Sequence, residues 1–260
     1  MAPKIPNILV LTTPSTAMTR AGTAVMDTES RHRLELFDPK TRPSAMIWDD
    51  DALLTAPADL YLSTAASALS GILAGAASPQ TNPLSLADLL HALRLSLESL
   101  PLIRSDPNNT TARVNLVAAS HLSNRALDGM RGRAFGIISS LGHVIDTLYT
   151  NLSHGDSSSL TTAWGMRFNL EQTSVGLARL AQALGVGNGL PENQAAKRAP
   201  DFIEDFYQRL GMPVRLRDAG IPQQDIERIA HDAMGDFYLH QNARKVKHQS
   251  ELSELLTQMW

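Results

Sequence analysis

Two histidines on neighbouring predicted helices are the residues of this chain with the clearest capacity for chemistry. His154 begins a turn that leads through Gly155 into a helix, and His143 stands on the preceding helix. Near neutral pH an imidazole acts as a general base, a general acid or a hydrogen-bond donor. We therefore expect His154 either to act in a cleft or to be a structural histidine bonded to backbone. His143 and Asp146 stand one helical turn apart, so their side chains either orient each other or form a solvated polar face.

The composition is that of an ordinary globular protein and excludes several classes of function. The chain has 260 residues, of which 43% are hydrophobic and 19% charged, with a net charge of −3 and no cysteine. The lack of cysteine excludes disulfides, thiolate metal sites and a cysteine nucleophile. The small negative charge gives no general attraction to nucleic acid or anionic membranes. No apolar run approaches the roughly 18 residues of a membrane span and no secretory signal is expected, so we expect a cytoplasmic location.

The hydrophobic periodicity predicts an α+β fold that is mostly α, with a short N-terminal β segment followed by a helical bundle. Residues 1–50 are expected to form a small sheet, and residues 51–260 repeat apolar side chains at helical spacing. The predicted strands are Asn7–Thr12, Thr23–Met26, Arg33–Phe37 and Ala45–Trp48. The predicted helices are Asp59–Ala77, Ser85–Leu100, Ala112–Met130, Gly132–Asn151, Ser157–Asn169, Ser174–Leu184, Ala199–Leu210, Gln224–Met234 and Ser250–Met259.

The stretch Leu141–Asn169 resembles the iron-containing alcohol dehydrogenase and maleylacetate reductase family. It combines a helix that carries a histidine, a short turn, the His154-Gly155 step and a helix that ends in Arg-Phe-Asn. The family pattern is roughly H-x-x-x-H-x-L-G-x-x-Y-x-x-P-H-G, followed by L-P-x-V-x-x-F-N. Its first histidine and the histidine before glycine bind the metal. His154 matches the second of these positions, and Ser139 falls at the first.

Further stretches match the family in the same order along the chain. Ile8–Ala17 resembles the strand that leads into T-T-x-G-T-G-S-E, and Trp48–Pro57 resembles Y-D-P-E-L-T-L-x-L-P. Leu210–Ile221 resembles L-G-x-P-x-x-L-R-D-L-G-V, and Asn242–Arg244 resembles N-P-R. The resemblance therefore extends over nearly the whole chain, and its C-terminal stretches lean toward the maleylacetate reductase branch. It implies that the helical bundle corresponds to the C-terminal domain of the family.

The resemblance also implies that most of the family's metal ligands are absent here. On Thr64–Ala74 the family pattern, G-x-D/N-A-x-x-H-A-x-E, places a carboxylate or amide and a histidine four residues apart, on one helix face. Ser67 and Gly71 occupy these positions, and Ser139 occupies the third, so His154 alone of the four ligands remains. One imidazole with hydroxyls does not hold a divalent transition metal specifically. No metal is therefore expected.

A nicotinamide cofactor is not expected either. In the family, a nucleotide-binding domain with a glycine-rich phosphate turn precedes the first matching strand. Gly185–Gly189 follows a predicted helix rather than a strand, which is typical of a helix C-cap. In the Thr-Thr turn, Pro14, Ser15 and Ala17 replace the family's glycines, and their side chains would block the close backbone approach of a cofactor.

Three small residues are candidates for lining a vacated metal pocket and binding a substrate. Ser67 and Ser139 are either pocket-lining hydroxyls or serines that pack between helices. Gly71 costs the middle of a helix about 1 kcal/mol relative to alanine. That cost indicates that room is needed at Gly71, either for a ligand or for a close helix crossing.

Three larger residues are further candidates for substrate binding. Tyr149 and Trp164 either shape an apolar cavity or pack in the core. Arg244 stands in a basic run that also matches the family's N-P-R motif. It is either an anion contact or part of a solvated loop.

These features favour a cofactor- and metal-independent, non-redox enzyme that acts on a small organic molecule, such as an intermediate of specialised metabolism. An isomerase, a dehydratase or a cyclase, including a pericyclic one, needs only shape, proton transfer and carbonyl polarisation. His154 would be the acid or base, with His143 beside it. Two alternatives stay open: a non-catalytic binding or partner subunit, and a reductase whose nucleotide-binding domain is a separate chain. The exposed edges of the N-terminal sheet predict a homodimer.

Overall fold

The computed structural model of the protein describes residues 5–26, 29, 33–130 and 135–260. It confirms the predicted fold class, since short strands precede a large helical bundle. The predicted helix start at Gly132 lies outside the described residues. Within the described ranges, no helix combines the length and the apolar character that crossing a bilayer requires.

The four strands form two separate pairs rather than one small sheet. Strands β1 (Ile8–Val10) and β4 (Ala45–Ile47) pair in parallel, with Leu9 opposite Met46. Strands β2 (Gly22–Met26) and β3 (Arg33–Phe37) form an antiparallel pair. The side chains of Leu9 and Met46 pack against the core, whereas those of the residues on either side of them are exposed or largely so. The predicted homodimer through these strands stays a prediction.

Ten α-helices follow the strands in the described part of the chain. Their bounds are α1 Asp50–Leu54, α2 Ala58–Ala76, α3 Pro83–Ser105, α4 Thr110–Asp128, α5 Gly136–Leu148, α6 His154–Phe168, α7 Ser174–Ala183, α8 Glu192–Arg209, α9 Ile226–Met234 and α10 Gln249–Met259. Helix α2 lies at the centre, because its alanines, leucines and small polar residues are buried on almost every side. It packs against α3, α4 and α6, and α6 in turn packs against α5.

Two helices are longer than predicted, and each contains a proline. Helix α8 begins at Glu192 and contains Pro200, whereas the sequence predicted a start at Ala199. Helix α3 likewise continues through Pro101 to Ser105, and it begins at Pro83, after the N-cap Asn82, rather than at the predicted Ser85. Proline lacks only its own N–H and disfavours the helix mainly at the residue before it. In both helices the remaining packing surface outweighs that local cost.

The start of α6 is fixed by its own sequence and by a close contact with α2. Ser153 and Asp156 form a reciprocal capping box, so the helix begins at His154, three residues before the predicted start. The backbone N–H of Gly155 donates to Ser63 Oγ at 2.9 Å. A Cβ atom at position 155 would lie only 2.5 Å from Ser63 Cα, so only glycine allows this approach.

A buried arginine joins the loops at one end of the bundle. The side chain of Arg113 is 2% exposed and donates to the carbonyl oxygens of Leu53, Ala56 and Pro107. Its guanidinium carbon lies 4.5 Å from the ring centre of Tyr61, whose hydroxyl donates to the Arg113 carbonyl. Burial raises the pKa of Tyr61 above its ordinary value. The arginine therefore satisfies three carbonyl groups that no regular helix bond reaches.

Arg113→Met is predicted to lower the free energy of unfolding by about 3 kcal/mol, because it leaves buried carbonyl groups without donors. Chemical denaturation followed by circular dichroism measures this loss. The matched control is Arg94→Met, at an exposed arginine that pairs with Glu98 within α3. It should change the same quantity by less than about 0.5 kcal/mol. Equal effects of the two substitutions would contradict the role given to Arg113.

Candidate functional site

One cavity lies among α2, α4, α5 and α6, and it gathers most of the predicted site residues. Its volume is about 130 Å³. The residues that line it are Thr16, Arg20, Ser67, Ser70, Gly71, Ala74, Ser123, Leu127, Phe135, Ile138, Ser139, Gly142, His143, His154, Ser158 and Tyr238. An engineered cavity of about 150 Å³ is large enough to bind benzene. The space therefore suits a molecule of roughly six non-hydrogen atoms.

All four positions that the family resemblance links to metal binding face this cavity. Ser67 and Gly71 line it from α2, Ser139 from α5 and His154 from the start of α6. The neighbouring Ser140 points elsewhere, since its hydroxyl donates to the carbonyl oxygen of Ala233. The structure thus brings the predicted positions together. Their predicted roles in binding and catalysis stay predictions.

Some serine hydroxyls around the cavity have hydrogen-bond partners within the protein, and others do not. Among the described residues, neither Ser67 Oγ nor Ser139 Oγ has a hydrogen-bond partner, and both side chains are partly exposed to the cavity. Ser123 Oγ is fully buried and also unpartnered. By contrast, Ser158 donates to the His154 carbonyl, and Ser70 Oγ accepts from Thr162. Because buried polar groups are nearly always paired, the unpartnered hydroxyls are expected to bind water or a ligand.

His154 is held by an aspartate on the neighbouring helix. Its Nδ1 lies 2.5 Å from Asp146 Oδ2, and Asp146 Oδ1 accepts from the Ser157 hydroxyl. The imidazole side chain is 60% exposed and stands at the mouth of the cavity. With Nδ1 engaged, Nε2 is the ring nitrogen available to a molecule in the cavity. His154 is therefore not bonded to backbone through Nδ1, as the structural alternative required.

His143 has a different partner from the one that the sequence suggested. Its Nδ1 lies 2.8 Å from Asp236 Oδ2, and its ring contacts Tyr238 edge-to-face at 5.4 Å. The suggested pairing of His143 with Asp146 is wrong, because Asp146 faces α6 and bonds His154. The His143 side chain is 14% exposed, so only a small part of it meets solvent.

Gly71 borders open space. A Cβ atom built at this position meets nothing within 4 Å. The explanation by a close helix crossing is therefore wrong, and the room at Gly71 belongs to the cavity.

Two of the predicted substrate-binding residues lie outside the cavity. The Tyr149 hydroxyl donates to Asp225 at 2.5 Å, and burial together with this carboxylate raises the pKa of Tyr149. Arg244 stacks on Phe168 at 4.0 Å and pairs with Glu251 at 3.1 Å. Both side chains tie elements of the bundle together, which explains their presence without a ligand.

Trp164 also lies outside the cavity. Its ring is flanked by the guanidinium groups of Arg167 and Arg215, each 4.9 Å from the ring centre. Both arginines pair with Glu204 on α8. Trp164 therefore joins α6 to the segment before α9 and does not line the cavity.

Sequence reasoning missed four residues that shape the site. Arg20 and Thr16 line the cavity from the turn after β1, and Ser123 lines it from α4. Asp236 supports His143 from the segment after α9. Thr16 falls within the stretch that resembles T-T-x-G-T-G-S-E, but its place at the cavity was not predicted. No local motif marks the other three residues, because each reaches the site through a contact between distant parts of the chain. Ser123 is the partial exception, since a serine on the buried face of a helix signals an unmet hydrogen-bonding group.

The side chains at the cavity do not fit a divalent metal ion. Within residues 5–26, 29, 33–130 and 135–260, no three His, Cys, Asp or Glu side chains are placed to hold one. At the four family positions, one imidazole and two hydroxyls are present, and Gly71 supplies no donor. Transition metals need several imidazole, thiolate or carboxylate ligands for specific binding.

Neither the Gly185–Gly189 loop nor the turn after β1 has the form of a phosphate-binding turn for a dinucleotide. Gly185 and Gly189 have positive φ angles and lie in the loop between α7 and α8, not between a strand and a helix. In the turn after β1, the Pro14 carbonyl accepts from Ser120 and the Ser15 hydroxyl accepts from Ala17 N–H. The turn is thus bonded to α4 and to itself. A phosphate-binding turn would instead leave its backbone N–H groups free.

Comparison with known proteins gives one matching family model. The model described as the C-terminal part of the Fe-containing alcohol dehydrogenase family matches residues 63–260. NAD-dependent methanol dehydrogenase of Bacillus methanolicus is 26% identical over 93% of this chain and 63% of its own length. 1,3-Propanediol dehydrogenase of Citrobacter freundii is 27% identical over 98% of this chain and 65% of its own length. The chain thus spans less than two thirds of the length of these relatives.

A solved structure shows the same fold. The crystal structure of 1,3-propanediol oxidoreductase matches all of this chain and 68% of its own, with a TM-score of 0.88 and 24% sequence identity. The bundle described above is therefore the helical part of that larger architecture.

These relatives contradict the predicted non-redox chemistry. Each is a dehydrogenase or an oxidoreductase, so an isomerase, a dehydratase or a cyclase has no support among them. The prediction failed because it derived a class of reaction from missing metal ligands. The metal ligands of a site determine how the oxygen atom of a substrate is held. They do not determine which class of reaction follows.

Gly71→Ala is predicted to raise the free energy of unfolding by about 1 kcal/mol, since the new methyl group enters open space and alanine favours the helix. The control is Gly176→Ala on α7, where a Cβ atom would lie 2.0 Å from the Ala77 carbonyl oxygen. That variant should be less stable than the unmodified chain. Denaturant titration compares the two, and a loss of stability for Gly71→Ala would mean that the cavity is closed.

The combined substitutions Ser67→Asp, Gly71→His and Ser139→His are predicted to create a zinc site together with His154. All four side chains would then face one cavity and supply imidazole and carboxylate ligands. Metal analysis after dialysis against Zn²⁺ should give about one ion per chain, against a small fraction for the unmodified protein. Adding His154→Ala to the variant should weaken binding. One zinc ion per unmodified chain would contradict the conclusion that the side chains at the cavity do not fit a divalent metal ion.

Proposed function

The chain belongs to the Fe-containing alcohol dehydrogenase family, and we propose that it binds a small alcohol or carbonyl compound in the cavity at the four family positions. The oxygen of the ligand is held directly by serine hydroxyls and an imidazole. The chain would thereby serve as the substrate-binding part of a family oxidoreductase.

The observation that carries this proposal is the pair of unpartnered hydroxyls of Ser67 and Ser139. They approach one cavity from two helices, and a hydroxyl group both donates and accepts hydrogen bonds. An alcohol oxygen can accept from one serine and donate to the other. A carbonyl oxygen can accept from both. Either ligand satisfies groups that the described protein leaves open.

His154 supplies a third hydrogen-bonding group, and Asp146 sets the orientation of its ring. Asp146 engages Nδ1 at 2.5 Å and leaves Nε2 for the ligand. An aspartate that bonds one ring nitrogen fixes the orientation and the tautomer of an imidazole. In the neutral ring, Nε2 accepts the proton of an alcohol. When protonated, the ring donates to a carbonyl oxygen, so the same residue suits both members of an alcohol and carbonyl pair.

The size and the walls of the cavity agree with a short organic ligand. A volume of about 130 Å³ accommodates three to six carbon and oxygen atoms. Phe135, Ile138 and Leu127 provide apolar contact for a carbon chain. Relatives of the chain act on methanol and 1,3-propanediol, which fall within this range. Hydride transfer would require a dinucleotide site outside the described residues.

The purified chain is predicted to bind 1,3-propanediol, and the double variant Ser67→Ala/Ser139→Ala is predicted to weaken this binding at least about fivefold. Removing both hydroxyls deletes two hydrogen bonds of about 0.5–1.5 kcal/mol each. Isothermal titration calorimetry or ligand-observed NMR measures the affinity. Ser96→Ala on α3 is the control, because Ser96 is also a helical serine but is buried away from the cavity and bonds only the Ala92 carbonyl of its own helix.

Gly71→Leu is a second variant for the same measurement. Its side chain would occupy the cavity while replacing glycine with a better helix former, so the fold should be kept and binding lost. If the unmodified chain shows no saturable binding, or if the double variant Ser67→Ala/Ser139→Ala and Gly71→Leu both bind normally, the proposal is wrong.

A further inference from the structure

We infer that a second cavity of the bundle binds an α-amino acid with an apolar side chain, such as leucine. This cavity lies between the start of α2, the end of α3, the start of α6 and the turn after α8. Its volume is about 410 Å³, and it shares no lining residue with the cavity at His154. Ligand pockets commonly enclose about 300–1,000 Å³, so an amino acid has room here. The site is separate from the one in the proposed function and does not depend on it.

Leucine and methionine side chains form the apolar part of the wall. Leu60 and Leu62 come from α2, and Leu210 and Met212 come from the end of α8 and the turn after it. Leu60 is 52% exposed, although the helix that carries it is buried on almost every side beyond this turn. A branched hydrocarbon chain placed against Leu60 would remove apolar surface from water, which is favourable.

Arg104 supplies a cationic group with donors to spare. Its Nη1 lies 3.4 Å from Asp59 Oδ1, and its other guanidinium N–H groups donate to none of the described residues. Gly211 has a φ of 75°, and a Cβ atom there would lie 3.0 Å from Arg104 Nη2. The guanidinium therefore lies against the bare backbone of the turn after α8. Because a guanidinium binds a carboxylate through two parallel hydrogen bonds, Arg104 suits the carboxylate of an amino acid.

Asp156 supplies the group of opposite charge. Its Oδ2 accepts from the backbone N–H of Ser153 at 2.9 Å and from the Ser153 hydroxyl at 2.7 Å. These bonds fix the carboxylate as part of the capping box of α6, and Oδ1 accepts from no group in the described part of the chain. An ammonium group has three N–H donors, so it can bond Oδ1 without disturbing the capping box.

Contacts along α2 hold these two charged groups close to each other. Arg104 pairs with Asp59, and Gly155, which precedes Asp156, donates to Ser63. Asp59 and Ser63 are four residues apart, which is about 6 Å along a helix. In an α-amino acid the ammonium and the carboxylate are attached to the same carbon atom. A compact zwitterion therefore matches both charges, whereas a ligand with one charge leaves either Arg104 or Asp156 without a partner.

The test compares L-leucine with three analogues, each of which lacks one of its groups. Glycine lacks the apolar side chain, isopentylamine lacks the carboxylate and 4-methylpentanoate lacks the ammonium. NMR titration of the isotope-labelled full chain should show saturable shifts with leucine at the amides of Ser153 and Gly211. Leucine should bind at least about fivefold more tightly than glycine, through the buried hydrocarbon. It should bind about threefold more tightly than either singly charged analogue, as expected for a half-exposed ion pair.

Two pairs of variants assign the contacts. Arg104→Gln should abolish the preference for leucine over isopentylamine, whereas Arg94→Gln, at an exposed arginine on the same helix, should leave it unchanged. Leu60→Ala should reduce the preference for leucine over glycine at least about twofold, whereas Leu84→Ala, at an exposed leucine of α3, should not. All four substitutions are at exposed side chains, so the fold should be kept.

The inference is overturned if leucine produces no saturable shifts, or if the shifts are confined to residues outside this cavity. It is also overturned if glycine binds as tightly as leucine, or if the preference for leucine over isopentylamine survives Arg104→Gln. Loss of that preference in Arg104→Gln, together with its retention in Arg94→Gln, supports the site.

Discussion

The close approach of α6 to α2 at Gly155 is the contact on which the geometry of the cavity depends. With a Cβ atom at position 155, the backbone of Ser63 would be 2.5 Å away, so a larger residue would push the helices apart. The hydrogen bond from Gly155 to Ser63, and one from Thr162 to Ser70 two turns later, align the two helices side by side. This alignment places His154 at the mouth of the cavity and turns Ser67 and Gly71 toward it.

Small residues then decide where the bundle is tight and where it is open. At Gly165, α6 meets Ile138 of α5 so closely that a Cβ atom would lie 2.3 Å from its side chain. At Gly71, by contrast, a Cβ atom would meet no other atom within 4 Å. At the four positions that the family resemblance links to metal binding, the described side chains offer two hydroxyls and one imidazole. In the proposed function, hydrogen bonds from these groups would hold the ligand oxygen.

The sequence predicted the site better than it predicted the partners within the site. Ser67, Gly71, Ser139 and His154 were found by motif because they lie at fixed spacings on two helices and a turn. The partner of His143, by contrast, is Asp236, which lies 93 positions further along the chain. Bonds of that kind depend on how whole helices pack, and no local pattern encodes them. Some candidates proved to lie outside the cavity. Arg244, which matches a family motif, stacks on Phe168 and pairs with Glu251 within the bundle.

The central claim is that the groups at the four family positions bind an organic oxygen directly. A crystal structure of the chain grown with 1,3-propanediol tests it most directly. The account predicts density for the diol in the cavity, with one oxygen within hydrogen-bonding distance of both Ser67 Oγ and Ser139 Oγ. A metal ion bound to His154, or a cavity filled by protein side chains, would contradict it.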